Sequence, residues 1–206
     1  LLSLQILNRY KANVIATIGS ADKVELLKKH GVPTEQIIVR TSAAEFPAQL
    51  SKSIDHIEKQ LSASAPEAAY SKKQAGGIDL IFDSLGGDYL LHGYQRLNAG
   101  GRLINFGSGT FMPSQSSLGI LGYASLGWKF INRATIDPMK MVGENRGVFG
   151  FNLIWLYEQS EFMNALVNEM LTEVQWQAPV IGKVFKFEDA IEAVKYFQSG
   201  KSVGKV

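Results

Sequence analysis

The chain of 206 residues is 46% hydrophobic and 19% charged, a composition that excludes a disordered or fibrous protein and is sufficient for one full core. Its formal net charge is only +2, from 21 basic and 19 acidic residues without a basic cluster, so we expect no nucleic acid as a partner. Cysteine is absent, which excludes disulfides, thiol nucleophiles and cysteine-based zinc sites from this stretch and favours a reducing, cytoplasmic compartment.

Strand-like and helix-like patterns alternate through the first half of the chain. In order, they predict a helix over 1–7, a strand over 14–18, a helix over 21–30, a strand over 36–39, a helix over 43–61, a strand over 78–83, a helix over 88–97 and a strand over 102–106. This alternation is typical of crossover units that feed a parallel sheet. We therefore predict an α/β fold with a doubly wound, Rossmann-like parallel sheet.

The first predicted helix has no start signal, and it leads directly into a strand that ends in Gly19-Ser20. In a dinucleotide-binding unit, a helix in this position follows the first strand and its glycine-rich turn. We therefore expect the chain to be truncated at its N-terminus, with that strand and turn preceding Leu1. No apolar run reaches the length of a membrane-spanning helix, so we predict no transmembrane segment.

The second half of the chain is less regular. Residues 62–77 are rich in Ser, Ala and Lys and predict a surface loop. Between 110 and 145 the alternation stops, and large apolar side chains either cover a sheet edge or form a lid or partner surface. These side chains are Met112, Tyr123, Trp128, Phe130, Met139 and Met141. A strand over 146–151, a helix over 162–171, a strand-like run over 180–185, a helix over 188–198 and a terminal strand follow.

The turn after the strand over 14–18 is the first candidate binding site, because ligands of parallel α/β sheets bind at the carboxyl ends of strands. An NAD site usually has a carboxylate at this strand end for the ribose, and this chain has Gly19-Ser20 instead. Ser20 at a helix N-terminus and the Lys23 cation suit the 2′-phosphate of NADPH. The alternative is that Ser20 is only an N-cap, Lys23 a solvated lysine and Asp22 a first-turn acid.

The turns after the later strands supply further candidates. Arg40 follows its strand directly and either lies over an adenine or binds the same phosphate, unless it is simply exposed. Gly86 and Gly107 allow a close backbone approach to a cofactor, or only make turns. Asp83 is best interpreted as a helix-capping or turn carboxylate, because no partner for a buried general base is evident.

The sequence identifies no catalytic residue. It contains no Gly-x-Ser-x-Gly elbow, no HExxH pattern and no P-loop. The three histidines are scattered in positions that favour capping or surface roles, so no metal site is predicted.

Several stretches in a fixed order resemble the medium-chain dehydrogenase/reductase superfamily, in particular its zinc-independent quinone oxidoreductase branch and the relatives similar to vesicle amine transport proteins. They are 14–23 (VIATIGSADK), 78–87 (IDLIFDSLGG), 100–107 (GGRLINFG), 137–140 (DPMK), 144–146 (ENR), 149–153 (FGFNL), 182–189 (GKVFKFED) and 199–205 (SGKSVGK). Each stretch is weak by itself, whereas their order and spacing together are specific.

The resemblance implies an NADPH-dependent reductase that transfers hydride from nicotinamide to quinones, enones or related activated carbonyl compounds. Matched by position, the cofactor-binding residues are Gly19, Ser20, Lys23, Arg40, Leu85, Gly86, Phe106, Gly107, Phe149, Gly150 and Phe151. Arg40 departs from the family, because many relatives carry tyrosine there. Lys205 resembles a family residue that lies near the cofactor.

The resemblance also implies a domain organisation and an assembly. Residues 1–175 correspond to the NAD(P)-binding domain without its first strand and glycine-rich loop, and residues 176–206 to a segment that returns to a GroES-like catalytic domain expected before Leu1. The edge strand near Val148 implies a homodimer. Residues 62–77 exceed the usual connection and look like an insertion.

Two other functions remain open from the sequence. One is a non-catalytic nucleotide-binding or membrane-associated scaffold that uses the segment between 110 and 145 as its partner surface. The other is an S-adenosylmethionine methyltransferase, which predicts an antiparallel last pair of strands and fits Gly19-Ser20 poorly.

Overall fold

The structure is a computed structural model that describes residues 1–64, 77–111, 119–133, 135–173, 176–200 and 202–206. Its helices and strands, in chain order, are α1 (Leu2–Arg9), β1 (Ala16–Ile18), α2 (Val24–Lys29), β2 (Ile37–Val39), α3 (Phe46–Ser64), β3 (Ile78–Asp83), α4 (Gly87–Gln95), β4 (Leu97–Asn105), α5 (Ile120–Ile131), α6 (Pro138–Glu144), β5 (Gly147–Gly150), α7 (Ser160–Glu173) and α8 (Ala190–Gln198). Short 3₁₀ turns lie at Ala21–Lys23, Thr34–Gln36, Gly109–Phe111, Leu153–Leu156 and Phe187–Asp189.

The described chain divides into two compact units. The first unit comprises Leu1–Val39 and Asn152–Val206, and the second comprises Arg40–Phe151. Every strand pair in the described residues is parallel, with helices between consecutive strands. The predicted α/β class with Rossmann-like parallel sheets is therefore confirmed.

The first unit contains the parallel pair β1–β2, with Ala16 opposite Ile37 and Ile18 opposite Val39. Its core consists of buried Leu4, Leu27 and Val32, packed against Val14, Ala16, Ile18 and Ile37. The stop predicted at Gly31 is confirmed, because this glycine has φ +86 and its N–H bonds back to the Lys28 carbonyl. The strand-like run over 180–185 and the terminal strand reduce to a single parallel bridge between Ile181 and Lys205.

The second unit contains a three-stranded parallel sheet in the order β3-β4-β5. Tyr94, Leu97 and Leu103 form its buried core, and Leu103 is completely inaccessible to solvent. Helix α3 places Phe46, Leu50 and Ile54 at buried positions, as their spacing of four residues predicts for one helix face.

Strand β4 begins earlier than the sequence pattern indicates. The helix expected to extend to residue 97 ends at Gln95, and Leu97 already pairs with Ile78. The next pairing, Leu80 with Arg102, leaves residues 98–101 as an irregular stretch within the strand. Gly100 has φ +81 there, a conformation that glycine adopts without strain. Residues 98–101, whose sequence predicts the end of a helix, therefore lie within strand β4.

Helices α5 and α6 occupy the segment between β4 and β5. Asp137 caps α6 by accepting a hydrogen bond from the Met139 N–H, and Pro138 stands at its first position. Asn145 ends this helix in the left-handed conformation, with φ 52. The sequence therefore defines both ends of α6 locally.

Some predictions fall outside the described residues. Met112, Lys201 and residues 65–76 of the expected loop are among them. Within the described ranges, no helix combines the length and hydropathy that a membrane crossing requires. In the same ranges, no three His, Asp or Glu side chains gather where they could hold a metal ion.

Candidate functional site

A buried carboxylate organises the turn at the carboxyl end of β3. Asp83 is 7% exposed, and its carboxylate accepts hydrogen bonds from the Leu85 N–H at 3.2 Å and the Gly86 N–H at 2.8 Å. Gly86 adopts φ 69 and ψ −164, a combination that is essentially restricted to glycine. The interpretation of Asp83 as a turn carboxylate is confirmed.

The turn at the end of β4 is joined to this first turn. The Asn105 side-chain amide donates to Asp83 Oδ2 at 2.7 Å and to the Gly107 carbonyl at 3.1 Å. The backbone adds a bond from the Phe106 N–H to the Asp83 carbonyl at 2.9 Å. A Cβ at Gly107 would lie 2.7 Å from the Ser84 carbonyl oxygen, so the two turns approach as closely as they do because residue 107 is glycine.

The end of β5 lies beside that of β4. The Phe151 N–H donates to the Asn105 carbonyl at 2.8 Å, and Ile104 pairs with Phe149. The side chains of Phe106, Phe149 and Phe151 are all exposed, with Phe149 at 60%. A Cβ at Gly150 would meet no atom within 4 Å, so the backbone there borders open space.

The structure thus brings together the predicted residues of the second unit other than Arg40. We call this surface the strand-end edge; it consists of Leu85, Gly86, Phe106, Gly107, Phe149, Gly150 and Phe151 at or beside the carboxyl ends of β3, β4 and β5. Parallel sheets of this class bind nucleotides at this end.

Arg40 belongs to the same unit and is half-buried against an aromatic ring. Its guanidinium carbon lies 5.7 Å from the centre of the Tyr89 ring, and Tyr89 makes an edge contact with Phe46 at 5.1 Å. Burial lowers the pKa of Arg40, while attraction to Tyr89 and Asp83 opposes the shift. The alternative of a simply exposed arginine is therefore wrong.

Tyr89 is a residue that the sequence interpretation missed. It stands in the first turn of α4, directly after the glycine pair and Asp88. Its position next to Asp88 at the start of a helix is only a weak sequence signal. Its contact with Arg40 makes Tyr89 a candidate residue of the cofactor site.

In the first unit, the residues predicted for the 2′-phosphate follow β1 as expected. Ser20 occupies the N-cap position, but its hydroxyl does not bond to the helix N–H groups. The Ser20 Oγ is buried and has no hydrogen-bond partner within the described residues. Lys23 is half-buried and its ammonium donates to the Gly200 carbonyl at 2.9 Å. Ser20 therefore does not cap the helix through its side chain, and Lys23 is anchored to Gly200 by a solvent-exposed hydrogen bond. The 2′-phosphate site stays a prediction.

Lys205 is held by its backbone. Its N–H donates to the Val180 carbonyl at 2.8 Å, and its carbonyl accepts from the Gly182 N–H at 2.9 Å.

Comparison with known proteins identifies the family. The model of the zinc-binding dehydrogenase family matches residues 54–206. The mouse synaptic vesicle membrane protein VAT-1 homolog is 26% identical over 206 residues, which are 99% of this chain and 44% of that protein. The chain therefore spans less than half the length of this curated relative.

Two solved structures have the same fold. The quinone oxidoreductase of Thermus thermophilus, solved alone and with NADPH, aligns with a TM-score of 0.58 and 22% identity over 99% of this chain and 52% of its own. The CurK enoyl reductase aligns with a TM-score of 0.55 and 20% identity over 97% of this chain and 47% of its own. The family match covers most of the sequence, and the chain belongs to the zinc-binding dehydrogenase family of the medium-chain dehydrogenase/reductase superfamily.

Proposed function

We propose that this chain is the cofactor-binding part of an NADPH-dependent oxidoreductase that transfers hydride to quinones, enones or related activated carbonyl compounds. The observation that carries the proposal is the strand-end edge, where Asp83 and Asn105 hold two glycine turns together beside three exposed phenylalanines. Family membership supports the reaction class, and the two solved relatives are a quinone oxidoreductase and an enoyl reductase.

The residues of the strand-end edge fit the nicotinamide half of a dinucleotide. Open space beside Gly150 admits a ligand close to the backbone, and the exposed faces of Phe106 and Phe149 exclude water from an adjoining ring. When bound, NADPH supplies the hydride, and the chain binds and orients the cofactor.

The phosphate preference is proposed from the first unit. The Lys23 ammonium has three N–H donors, and one of them is used on the Gly200 carbonyl. Its remaining donors and its positive charge suit a 2′-phosphate, with Ser20 and Gly19 beside it. NADPH in the structure of the Thermus thermophilus relative supports this choice of cofactor.

The organisation of the whole protein is also a proposal. We assign residues 1–175 to the cofactor-binding domain and 176–206 to a segment of a GroES-like catalytic domain without catalytic zinc. Strand β5 is the edge of its described sheet, which supports a homodimer through the strand around Val148. We propose a cytoplasmic location.

The experiment is an activity and binding assay on the full-length protein. Oxidation of NADPH by simple quinones or enones, followed at the nicotinamide absorbance band, is expected, with NADH binding more weakly. Tight NADPH binding without turnover on any such acceptor would contradict the reductase.

A non-catalytic scaffold is the second candidate, and helix α5 favours it. Leu121, Tyr123, Trp128 and Ile131 of this helix are all exposed, Trp128 at 69%. Large apolar side chains exposed together on one helix are typical of a protein or membrane contact. Binding of NADPH without oxidation by any quinone would support the scaffold.

A further inference from the structure

The Asp83 carboxylate joins two turns that carry predicted cofactor residues, and the helix after the first turn carries Tyr89, which contacts Arg40. We propose that Asp83 is a positioning residue that couples Arg40 to the turns at Leu85–Gly86 and Phe106–Gly107, so that one buried carboxylate aligns both halves of the cofactor site. The inference rests on the proposed function, because the coupled segments are those assigned to NADPH.

The first connection is to the turn after β3. The Leu85 N–H donates to Asp83 Oδ1 at 3.2 Å, and the Gly86 N–H donates to Asp83 Oδ2 at 2.8 Å. Both carboxylate oxygens are therefore engaged by the backbone of one turn. Hydrogen bonds to an ionised acceptor are stronger than neutral ones, so the charge of Asp83 stabilises this turn.

The second connection runs through Asn105 to the turn after β4. Asn105 Nδ2 donates to Asp83 Oδ2 at 2.7 Å and to the Gly107 carbonyl at 3.1 Å, so one amide joins the two turns. The Asn105 backbone carbonyl accepts from the Phe151 N–H at 2.8 Å, which links the end of β5 to the same residue.

The third connection reaches Arg40 through the first turn of α4. Gly86, whose N–H donates to Asp83, is the N-cap residue of the helix that carries Tyr89. Burial lowers the pKa of Arg40, and attraction to Tyr89 and to Asp83 opposes this shift. The guanidinium lies over the Tyr89 ring, whose own edge contacts Phe46. An asparagine at position 83 would retain the volume of the side chain and remove this attraction.

The chain offers a matched control at the opposite end of the same two strands. Asp79 of β3 accepts a hydrogen bond of 2.9 Å from the Asn98 amide of β4. This pair has the same chemistry as Asp83–Asn105 and joins the same strands, yet Asp79 is exposed and lies at the start of β3, away from the strand-end edge.

The test uses the full-length protein with two variants, Asp83→Asn and the control Asp79→Asn. Dissociation constants are measured for NADPH by fluorescence titration, and for 2′,5′-ADP and nicotinamide mononucleotide by competition, with thermal midpoints recorded alongside. Asp83→Asn is expected to raise the dissociation constant of NADPH at least tenfold. Those of the two half-ligands, 2′,5′-ADP and nicotinamide mononucleotide, are expected to rise at least threefold. The control Asp79→Asn is expected to stay within twofold of the wild type.

If Asp83→Asn does not fold, Asn105→Ala takes its place. In that variant we expect the dissociation constant of nicotinamide mononucleotide to rise at least threefold and that of 2′,5′-ADP to stay unchanged. Wild-type affinity in Asp83→Asn, a loss confined to one half-ligand, or an equal loss in Asp79→Asn would each overturn the coupling. Failure of the wild-type protein to bind NADPH would instead remove the proposed function, and the coupling with it.

Discussion

The ammonium group of Lys23 donates a hydrogen bond to the carbonyl oxygen of Gly200 at 2.9 Å, although 177 positions separate the two residues. Gly200 follows α8 with φ 71, a left-handed conformation that glycine adopts without strain. The contact orients the cation that we assign to the 2′-phosphate, and it links the turn after β1 to the segment after α8 within the first unit.

Substituting Lys23 by alanine should weaken the binding of NADPH and leave the binding of NADH unchanged. Loss of one charge-assisted contact with the phosphate corresponds to about 1.5–3 kcal/mol of binding free energy, or roughly a 10- to 100-fold rise in the dissociation constant. Titrations of the full-length protein with both cofactors check this. Lys28→Ala is the control, because Lys28 only pairs with Glu25 on the exposed face of α2. The phosphate assignment is wrong if the wild-type protein binds NADPH and NADH with equal affinity and Lys23→Ala changes neither affinity.

Gly107→Ala should destabilise the protein, since its Cβ would lie 2.7 Å from the Ser84 carbonyl oxygen and 3.1 Å from the Ser84 Cα. Overpacking against backbone costs about 1–3 kcal/mol of unfolding free energy. Urea denaturation measures the difference. Gly150→Ala is the comparison, because its Cβ would meet nothing within 4 Å, and its effect should stay within about 0.5 kcal/mol. Equal stability of the two variants would contradict the close approach of the turns.

Phe149→Ala should weaken NADPH binding with little change in the unfolding free energy. The side chain is 60% exposed, so its truncation should cost less than about 1 kcal/mol of unfolding free energy while weakening NADPH measurably. Leu103→Ala, in the fully buried core, should cost about 2–5 kcal/mol. Thermal unfolding and cofactor titration on both variants test the pair. An unchanged NADPH affinity in Phe149→Ala would exclude this ring from the cofactor site.

Tyr94 should make stability depend on alkaline pH. This side chain is 5% exposed, and burial, together with its hydrogen bond to Glu144 at 3.1 Å, raises the pKa of its phenol. A phenol pKa raised by folding stabilises the protein below the unfolded value of about 10, and that contribution is lost as pH rises through the folded pKa.

Tyr94→Phe should therefore lower the unfolding free energy at pH 7 by about 1 kcal/mol, through loss of the hydrogen bond. The gap between variant and wild type should narrow above about pH 10, because only the wild type has this phenol to ionise. Urea titrations at neutral and alkaline pH measure both values. A constant gap across that range would show that Tyr94 does not titrate differently in the folded state.

Strand ends were easier to predict than strand starts. The ends at Ile18, Val39 and Asp83 agree with the sequence patterns, because glycine or polar turn residues follow each of them. The starts differ more, most clearly in β4, which begins at Leu97 rather than Arg102. A strand starts where a neighbour pairs with it, and that partner is not visible in the local pattern.

The same distinction applies to the candidate site. The sequence by itself determined the alternation of helices and strands and the glycine turns at the strand ends, because periodicity and backbone freedom are local properties. Only the tertiary structure decided that Asn105 joins Asp83 to Gly107, and that Lys23 meets Gly200. These pairs depend on the positions of segments far apart in the chain, and packing sets those positions.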